Sequence, residues 1–259
     1  MSVANLSIYN VPVLMYHRVN PVVIDRNTVR IENFIAQLEY LHNNGFQSIS
    51  LLQLYQAFSK RQLLPPKSVI LTFDDGYMDN FIYALPLLLR YKMKGTVFVI
   101  PGMIGDRCQW LKEHDCNRLM NWEQLKEWVA TGMEIGSHTV THRMLSRLTD
   151  EEIAYELSMS KEMLERELGA TIDFDCYPYG DLDGRVKSIA KTTGYKGGLA
   201  IFNNTSFRQE DMFAIPRIGI SSRLPLWEFK IKVSKLHRYF ISMKKMENDV
   251  KRMLRRIYG

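Results

Sequence analysis

Cysteine is scarce in this chain. Cys108, Cys116 and Cys176 make an odd number with no Cys-x-x-Cys pair, which speaks against a disulfide framework or a zinc finger and for reduced thiols inside a cell. Long apolar runs are missing too, since no stretch approaches the roughly 18 residues of a membrane-spanning helix. Met1 to Asn10 holds no Lys or Arg, and the apolar run from Val11 to Tyr16 is too short and too late for a secretory leader. A soluble, cytoplasmic protein is the expectation. Charge of one sign is absent from most of the chain. The net charge of +6 is concentrated from Leu226 to Gly259, where ten Lys and Arg face three acidic residues (+7), leaving −1 on the other 225 residues. An anionic partner would meet the tail. No nucleic-acid-binding module is recognisable, so nucleic acid is not expected. With 259 residues and 46% hydrophobic composition, the chain is long enough for one α/β domain with a large core.

The most informative stretch joins Ser68-Val69-Ile70-Leu71-Thr72-Phe73, a β-branched apolar run that reads as a buried strand, to Asp74-Asp75-Gly76-Tyr77. On a regular strand, consecutive side chains point to opposite faces. Asp74 and Asp75 share a site only if the chain bends, which Gly76 permits. Two acids there suit metal-assisted hydrolysis, one as an oxygen ligand and one as a base, but an Asp-Asp-Gly turn with no such role explains the pattern equally well.

Strand and helix patterns alternate along the rest of the chain, as in a parallel sheet or α/β barrel. Val11-Pro12-Val13-Leu14-Met15-Tyr16 reads as a first strand ending in His17, a site residue or simply a core or turn histidine. Helices are expected over Ile31–Asn44, Leu51–Lys60, Phe81–Tyr91 with a kink at Pro86, Trp122–Ala130, Thr149–Leu168 and Arg185–Thr193. Residues 101–121 read as a long loop of the lid type, in which Cys108, His114 and Cys116 are more economically surface residues than metal ligands. After the short strand Met133–Gly136 comes Ser137-His138-Thr139-Val140-Thr141-His142. Fully extended, its two imidazoles would stand about 13 Å apart; a helical or tight turn would bring them onto one face, and the β-branched run Thr139-Val140-Thr141 argues against a long helix, so a single turn is expected. Tyr177-Pro178-Tyr179-Gly180 follows another strand and is a turn that can aim backbone N–H groups.

Taken in order, Thr72-Phe73-Asp74-Asp75-Gly76, Ser137-His138-Thr139-Val140-Thr141-His142 and Tyr177-Pro178-Tyr179-Gly180 resemble the polysaccharide deacetylases of the NodB-homology type, carbohydrate esterase family four, over about Val11 to Ile220. The resemblance implies a distorted (β/α) barrel that removes N-acetyl groups from amino sugars in a poly- or oligosaccharide or a lipid-linked glycan. It implies a divalent metal, most often Zn2+, held by Asp75, His138 and His142. Asp74 would be the general base, and the Tyr179 N–H would help hold the oxyanion.

Two departures bear on activity. Ile215-Pro216-Arg217-Ile218 stands where many members carry a Leu-x-x-His acid, but Val13-Leu14-Met15-Tyr16-His17 looks like the poly-N-acetylglucosamine deacetylase branch, which implies that His17 protonates the leaving amine. Cys176 stands where many members have an arginine that orients the base, and the same branch implies that Arg217 takes over. These departures keep two alternatives open, a carbohydrate-binding protein of weak or no activity and a carbohydrate O-deacetylase. The barrel is expected over residues 1–225. Over 226–259 the recurrence of Tyr239, Phe240, Met243, Met246, Val250, Leu254 and Ile257 predicts a basic amphipathic helix, suited to peripheral membrane contact or to packing on the barrel.

Overall fold

Parallel strands buried on both faces are near-continuous apolar runs, and this chain has several. In the computed structural model, which describes residues 11–22, 25–107, 118–201, 211–234 and 236, they close into a barrel. The order begins β1 (Val13–Tyr16), β2 (Arg18–Asn20), β3 (Thr28–Arg30), α1 (Ile31–Asn43), β4 (Gln47–Ser48), α2 (Leu51–Lys60) and β5 (Ser68–Phe73). It continues α3 (Leu85–Arg90), β6 (Thr96–Val99), α4 (Trp122–Ala130), β7 (Glu134–Ser137), α5 (Asp150–Leu168), β8 (Phe174–Cys176), α6 (Gly184–Thr192), β9 (Gly197–Ile201), β10 (Ile215–Gly219) and α7 (Leu226–Val233).

Seven strands run β1-β10-β9-β8-β7-β6-β5 and close where β1 pairs with β5, in register from Val13 with Ile70 to Tyr16 with Phe73. Every pairing is parallel, and β4 adds to β5 outside the ring. All seven carboxyl ends therefore open at one mouth, where the segments after the strands meet. The architecture is the distorted (β/α) barrel that the resemblance implied.

The helices form where their caps say they should. Ser50, Asn121 and Thr149 each accept the N3 backbone N–H while Gln53, Gln124 and Glu152 reach back, three complete capping boxes. Gly169 ends α5 in the left-handed conformation. Between sheet and helices, Phe73 packs its ring 5.3 Å from Tyr16, 6.1 Å from Phe34 and 6.2 Å from Trp128, all fully buried. The Tyr16 hydroxyl is satisfied there by Gln37, 2.8 Å away.

The helix expected over Phe81–Tyr91 is divided. Asn80–Ala84 winds as a π-helix before α3, with Pro86 in the first α-helical turn. Proline lacks an N–H and its ring crowds the carbonyl four residues back, which the wider turn relieves. The chain divides into two compact units, Met1–Arg223 and Leu224–Gly259. In the second, α7 follows Pro225, and Lys232 and Glu228 approach to 3.6 Å along it. Of the helical tail expected over 226–259, α7 is described, whereas residues 235 and 237–259, like Cys108, His114 and Cys116, lie outside the described residues. No helix among the described residues is long and apolar enough to cross a membrane.

Candidate active site

The β5 ladder continues one residue past the strand, the Asp74 N–H donating to the Tyr16 carbonyl at 3.0 Å. Asp75 and Gly76 then turn left-handed, at φ +71° and +72°. This is the bend the two carboxylates needed in order to share a mouth. A side chain on Gly76 would meet Val99 Cγ1 at 2.9 Å as well as that unfavourable φ, so glycine is required there twice over.

His138 leaves β7 with its N–H on the Val99 carbonyl, 2.8 Å away. Of the two turns expected between His138 and His142, helical or tight, the chain takes a tight bend. Thr139 and His142 both lie at positive φ, +62° and +61°, and the Thr139 hydroxyl accepts the His142 N–H at 3.1 Å. A β-branched run resists helix, and the threonine offers the backbone another partner. Two neighbours hold the bend. The Gly102 N–H donates to the Val140 carbonyl at 3.1 Å, an approach that a Cβ on Gly102 would block. The Glu156 carboxylate accepts the Thr141 N–H at 2.9 Å and the Thr141 hydroxyl. The bend brings the two rings together as the single turn was expected to, with imidazole centroids 4.8 Å apart. Left-handed non-glycine residues are uncommon, and Asp75, Thr139, His142 and Tyr179 concentrate here.

Asp75 Oδ1 lies 3.4 Å from His138 Nε2 and 3.5 Å from His142 Nε2. These are longer than well-formed hydrogen bonds. They match the edge of a tetrahedron, about 3.4 Å, whose corners lie about 2.1 Å from a central ion. One carboxylate and two imidazoles, all buried or nearly so, therefore fit a divalent cation. His138 Nδ1 is 2.5 Å from the Cys176 carbonyl, which commits that nitrogen as the donor and directs the Nε2 lone pair to the site.

Charge in the pocket follows from burial and partners. Burial raises the Asp75 pKa, but its contact with His138 and the charges of His17, His138 and His142 outweigh it, so Asp75 is held ionised. His142 is pushed down to about 4 by burial and by the His138 charge, leaving a neutral imidazole able to ligate. For His138, burial opposes the charge, while the Cys176 sulfur and the Asp75 carboxylate favour it and prevail. Burial keeps Cys176 a thiol, which leaves Asp75 the main attraction.

Arg217, in β10, reaches past β1 to Asp74 at the end of β5 with both arms, Nη1 to Oδ1 at 2.6 Å and Nη2 to Oδ2 at 2.8 Å. Arg217 Nη1 also donates to Thr72 Oγ1, and its Cζ lies 5.8 Å from the Phe98 ring centroid. Burial raises the Asp74 pKa, yet the Arg217 charge and hydrogen bonds hold it well below the ordinary carboxylate range. Cys176 Sγ sits 3.0 Å from Arg217 Nη2 and 3.7 Å from Asp74 Oδ1. Asp74, His138 and Cys176 are also close enough together to share an ion. The guanidinium already bound to two of them opposes a second cation at that point.

Tyr179 lies at φ +60°, and its N–H has no acceptor among the described residues. Its half-exposed ring stands 4.7 Å from that of His142. His17, half-buried beyond β1, is near enough for its charge to act on Asp74, Asp75 and His142.

Sequence reasoning missed a polar cluster beside His17. Arg18, Asn20, Tyr77, Asp79 and Asn80 are all buried, with the Arg18 guanidinium 3.8 Å over the Tyr77 ring. Asp79 and Asn80 stand four and five residues after Asp75. Polar residues at the start of a helix read as ordinary caps, so no one-dimensional signal marked them. Burial, opposed by Arg18, pushes Asp79 up to about 7 from its ordinary 3.8. A group with a raised folded pKa contributes stability that is complete below about pH 4 and is lost as pH rises through about 7. Asp79→Asn is therefore expected to flatten the loss of unfolding free energy between pH 4 and 8, as read by urea denaturation across that range.

A closed parallel barrel with this pocket at its carboxyl mouth is the architecture of NodB-type deacetylases. The polysaccharide deacetylase family model matches residues 61–198. YxkH of Bacillus subtilis (strain 168), named for the same family, is 31% identical over 212 residues, covering 81% of this chain and 71% of that one. The poly-beta-1,6-N-acetyl-D-glucosamine N-deacetylase of Staphylococcus aureus (strain MRSA252) is 28% identical over 209 residues, 76% of this chain and 69% of its own. The Streptococcus pyogenes deacetylase PplD, solved with acetate, superposes with a TM-score of 0.74 at 26% identity, over 86% of this chain and 98% of that chain. The chain belongs to the polysaccharide deacetylase family, and it is a carbohydrate deacetylase.

Proposed function

We propose that this protein hydrolyses the acetamide of N-acetylated amino sugars in a poly- or oligosaccharide or a lipid-linked glycan, with Zn2+ as its metal. One observation carries the reading: Asp75 stands at tetrahedral-edge distance from both His138 and His142, beside Asp74, which Arg217 holds ionised. The S. aureus relative, by its name a deacetylase of an N-acetylglucosamine polymer, supports the substrate class.

Asp75, His138 and His142 would hold the cation, which when bound supplies Lewis acidity toward the acetamide carbonyl and lowers the pKa of water from 15.7 to about 7. Asp74 accepts the proton that the attacking water gives up. So acidic a carboxylate is a weak base, and it serves because that water is acidified. Arg217 fixes its orientation, in place of an arginine at position 176. The Tyr179 N–H donates to the oxygen that gains charge as water adds. His17 then delivers a proton to the departing nitrogen, giving free amine and acetate. Because Arg217 supplies the support that Cys176 cannot, the catalytic reading is favoured over a binding-only protein.

The test is acetate release from N-acetylglucosamine oligomers and from a lipid-linked N-acetylated amino sugar. Activity is expected to disappear with a chelator and return with added Zn2+. A fully metal-loaded protein that releases no acetate from either substrate would leave carbohydrate binding as the better reading.

A further inference from the structure

Backbone groups on both sides of the His17 side chain are tied to the loop that carries the two carboxylates. The Tyr16 carbonyl accepts the Asp74 N–H at 3.0 Å, and the His17 carbonyl accepts from Asn80 Nδ2 at 2.7 Å. The first bond extends the strand ladder and would form with any residue but proline at 74. The second needs a side-chain donor at position 80.

Asn80 is fully buried, and its Oδ1 has no partner among the described residues. Its side chain thus makes one hydrogen bond, to the His17 peptide. A buried amide with half its capacity unmet is a poor choice for stability, since an apolar residue of similar size would fill the space without that cost. The next residues repeat the connection. Arg18 lies over the Tyr77 ring, and Asn20 Nδ2 approaches Asp79 Oδ2 at 3.4 Å, so β2 is latched side chain by side chain to residues 77–80.

We propose that Asn80 is a positioning residue for the proton donor: its amide fixes the His17 peptide against the loop of Asp74 and Asp75, so that acid and base address the same acetamide. This rests on the reading of His17 as the donor. Asn80 touches no reacting atom. Its effect is on where the imidazole stands, and a displacement of about 1 Å in such a group costs up to about 100-fold in rate.

The experiment uses the full chain loaded with Zn2+ and two substrates, an N-acetylglucosamine oligomer and an aryl acetate, whose phenolate leaves without being protonated. Asn80→Ala removes the donor, and Asn80→Asp replaces it at constant shape with an oxygen that repels the carbonyl. For both, kcat on the oligomer is expected to fall about 10- to 100-fold, with KM, zinc content and aryl acetate turnover within about twofold of wild type. The double variant with His17→Ala should be no slower than His17→Ala alone, because Asn80 acts through that ring. Oligomer turnover at the wild-type rate in the Asn80 variants, with His17→Ala impaired, overturns this inference and leaves the acid assignment standing. Equal losses on both substrates, or additive losses in the double variant, overturn it as well. If His17→Ala itself cleaves the oligomer normally, the acid assignment fails and takes the positioning role with it.

Discussion

Asp74→Asn is expected to lower acetate release by about 10²- to 10⁴-fold, the range over which a positioned general base contributes. The substitution conserves shape but removes the charge that Arg217 grips at 2.6 and 2.8 Å. Both side chains are almost completely buried. Breaking such a pair from one side leaves a buried charge without compensation and costs about 3–5 kcal/mol of stability. The single variant should therefore be both inactive and less stable, and inactivity alone would not separate the two causes. Asp74→Asn with Arg217→Met does separate them. Removing both charges should restore much of the denaturation midpoint while acetate release stays as low as in the single variant. Recovery of activity along with stability would mean that Asp74 is structural.

His138→Ala is expected to abolish zinc binding at micromolar metal and to reduce turnover by more than about 10⁴-fold, since the pKa of the attacking water would return toward 15.7. It removes one of the three atoms proposed to hold the ion and also the contact that secures the Cys176 carbonyl. The same residue predicts a pH dependence. Burial opposes its protonation, but its anionic surroundings raise its pKa, so a cation entering the site displaces a proton from it. Asp75, held ionised, exchanges none. Zinc affinity should accordingly rise with pH up to the raised pKa of His138, which competitive chelator titrations at pH 6 and 8 would register as tighter binding at 8. Equal affinity at the two pH values would place the ion elsewhere.

The strands were readable because burial on both faces writes itself as an apolar run, as in Ser68–Phe73. The helices were readable because Ser50, Asn121 and Thr149 announce their own caps. The connection from His138 to His142 was harder. Spacing alone suggested a single turn, helical or tight, but Gly102 and Glu156, which secure the bend, come from other segments of the chain. The division of the helix around Pro86 was legible only as a kink, because a π-turn depends on how its neighbours pack.

By itself the amino-acid order determined the strand and helix alternation, the carboxylate pair with the glycine that lets it bend, and the two imidazoles, since these depend on local backbone chemistry and residue type. The resemblance implied that Arg217 serves Asp74 and that Asp75, His138 and His142 form one set; only the tertiary structure decided that Arg217 grips both Asp74 oxygens, that Asp75 stands 3.4 and 3.5 Å from the two imidazoles, and that Asn80 holds the peptide of His17. Each of these joins residues 63 or more positions apart, and no pattern confined to a short window contains such a pair.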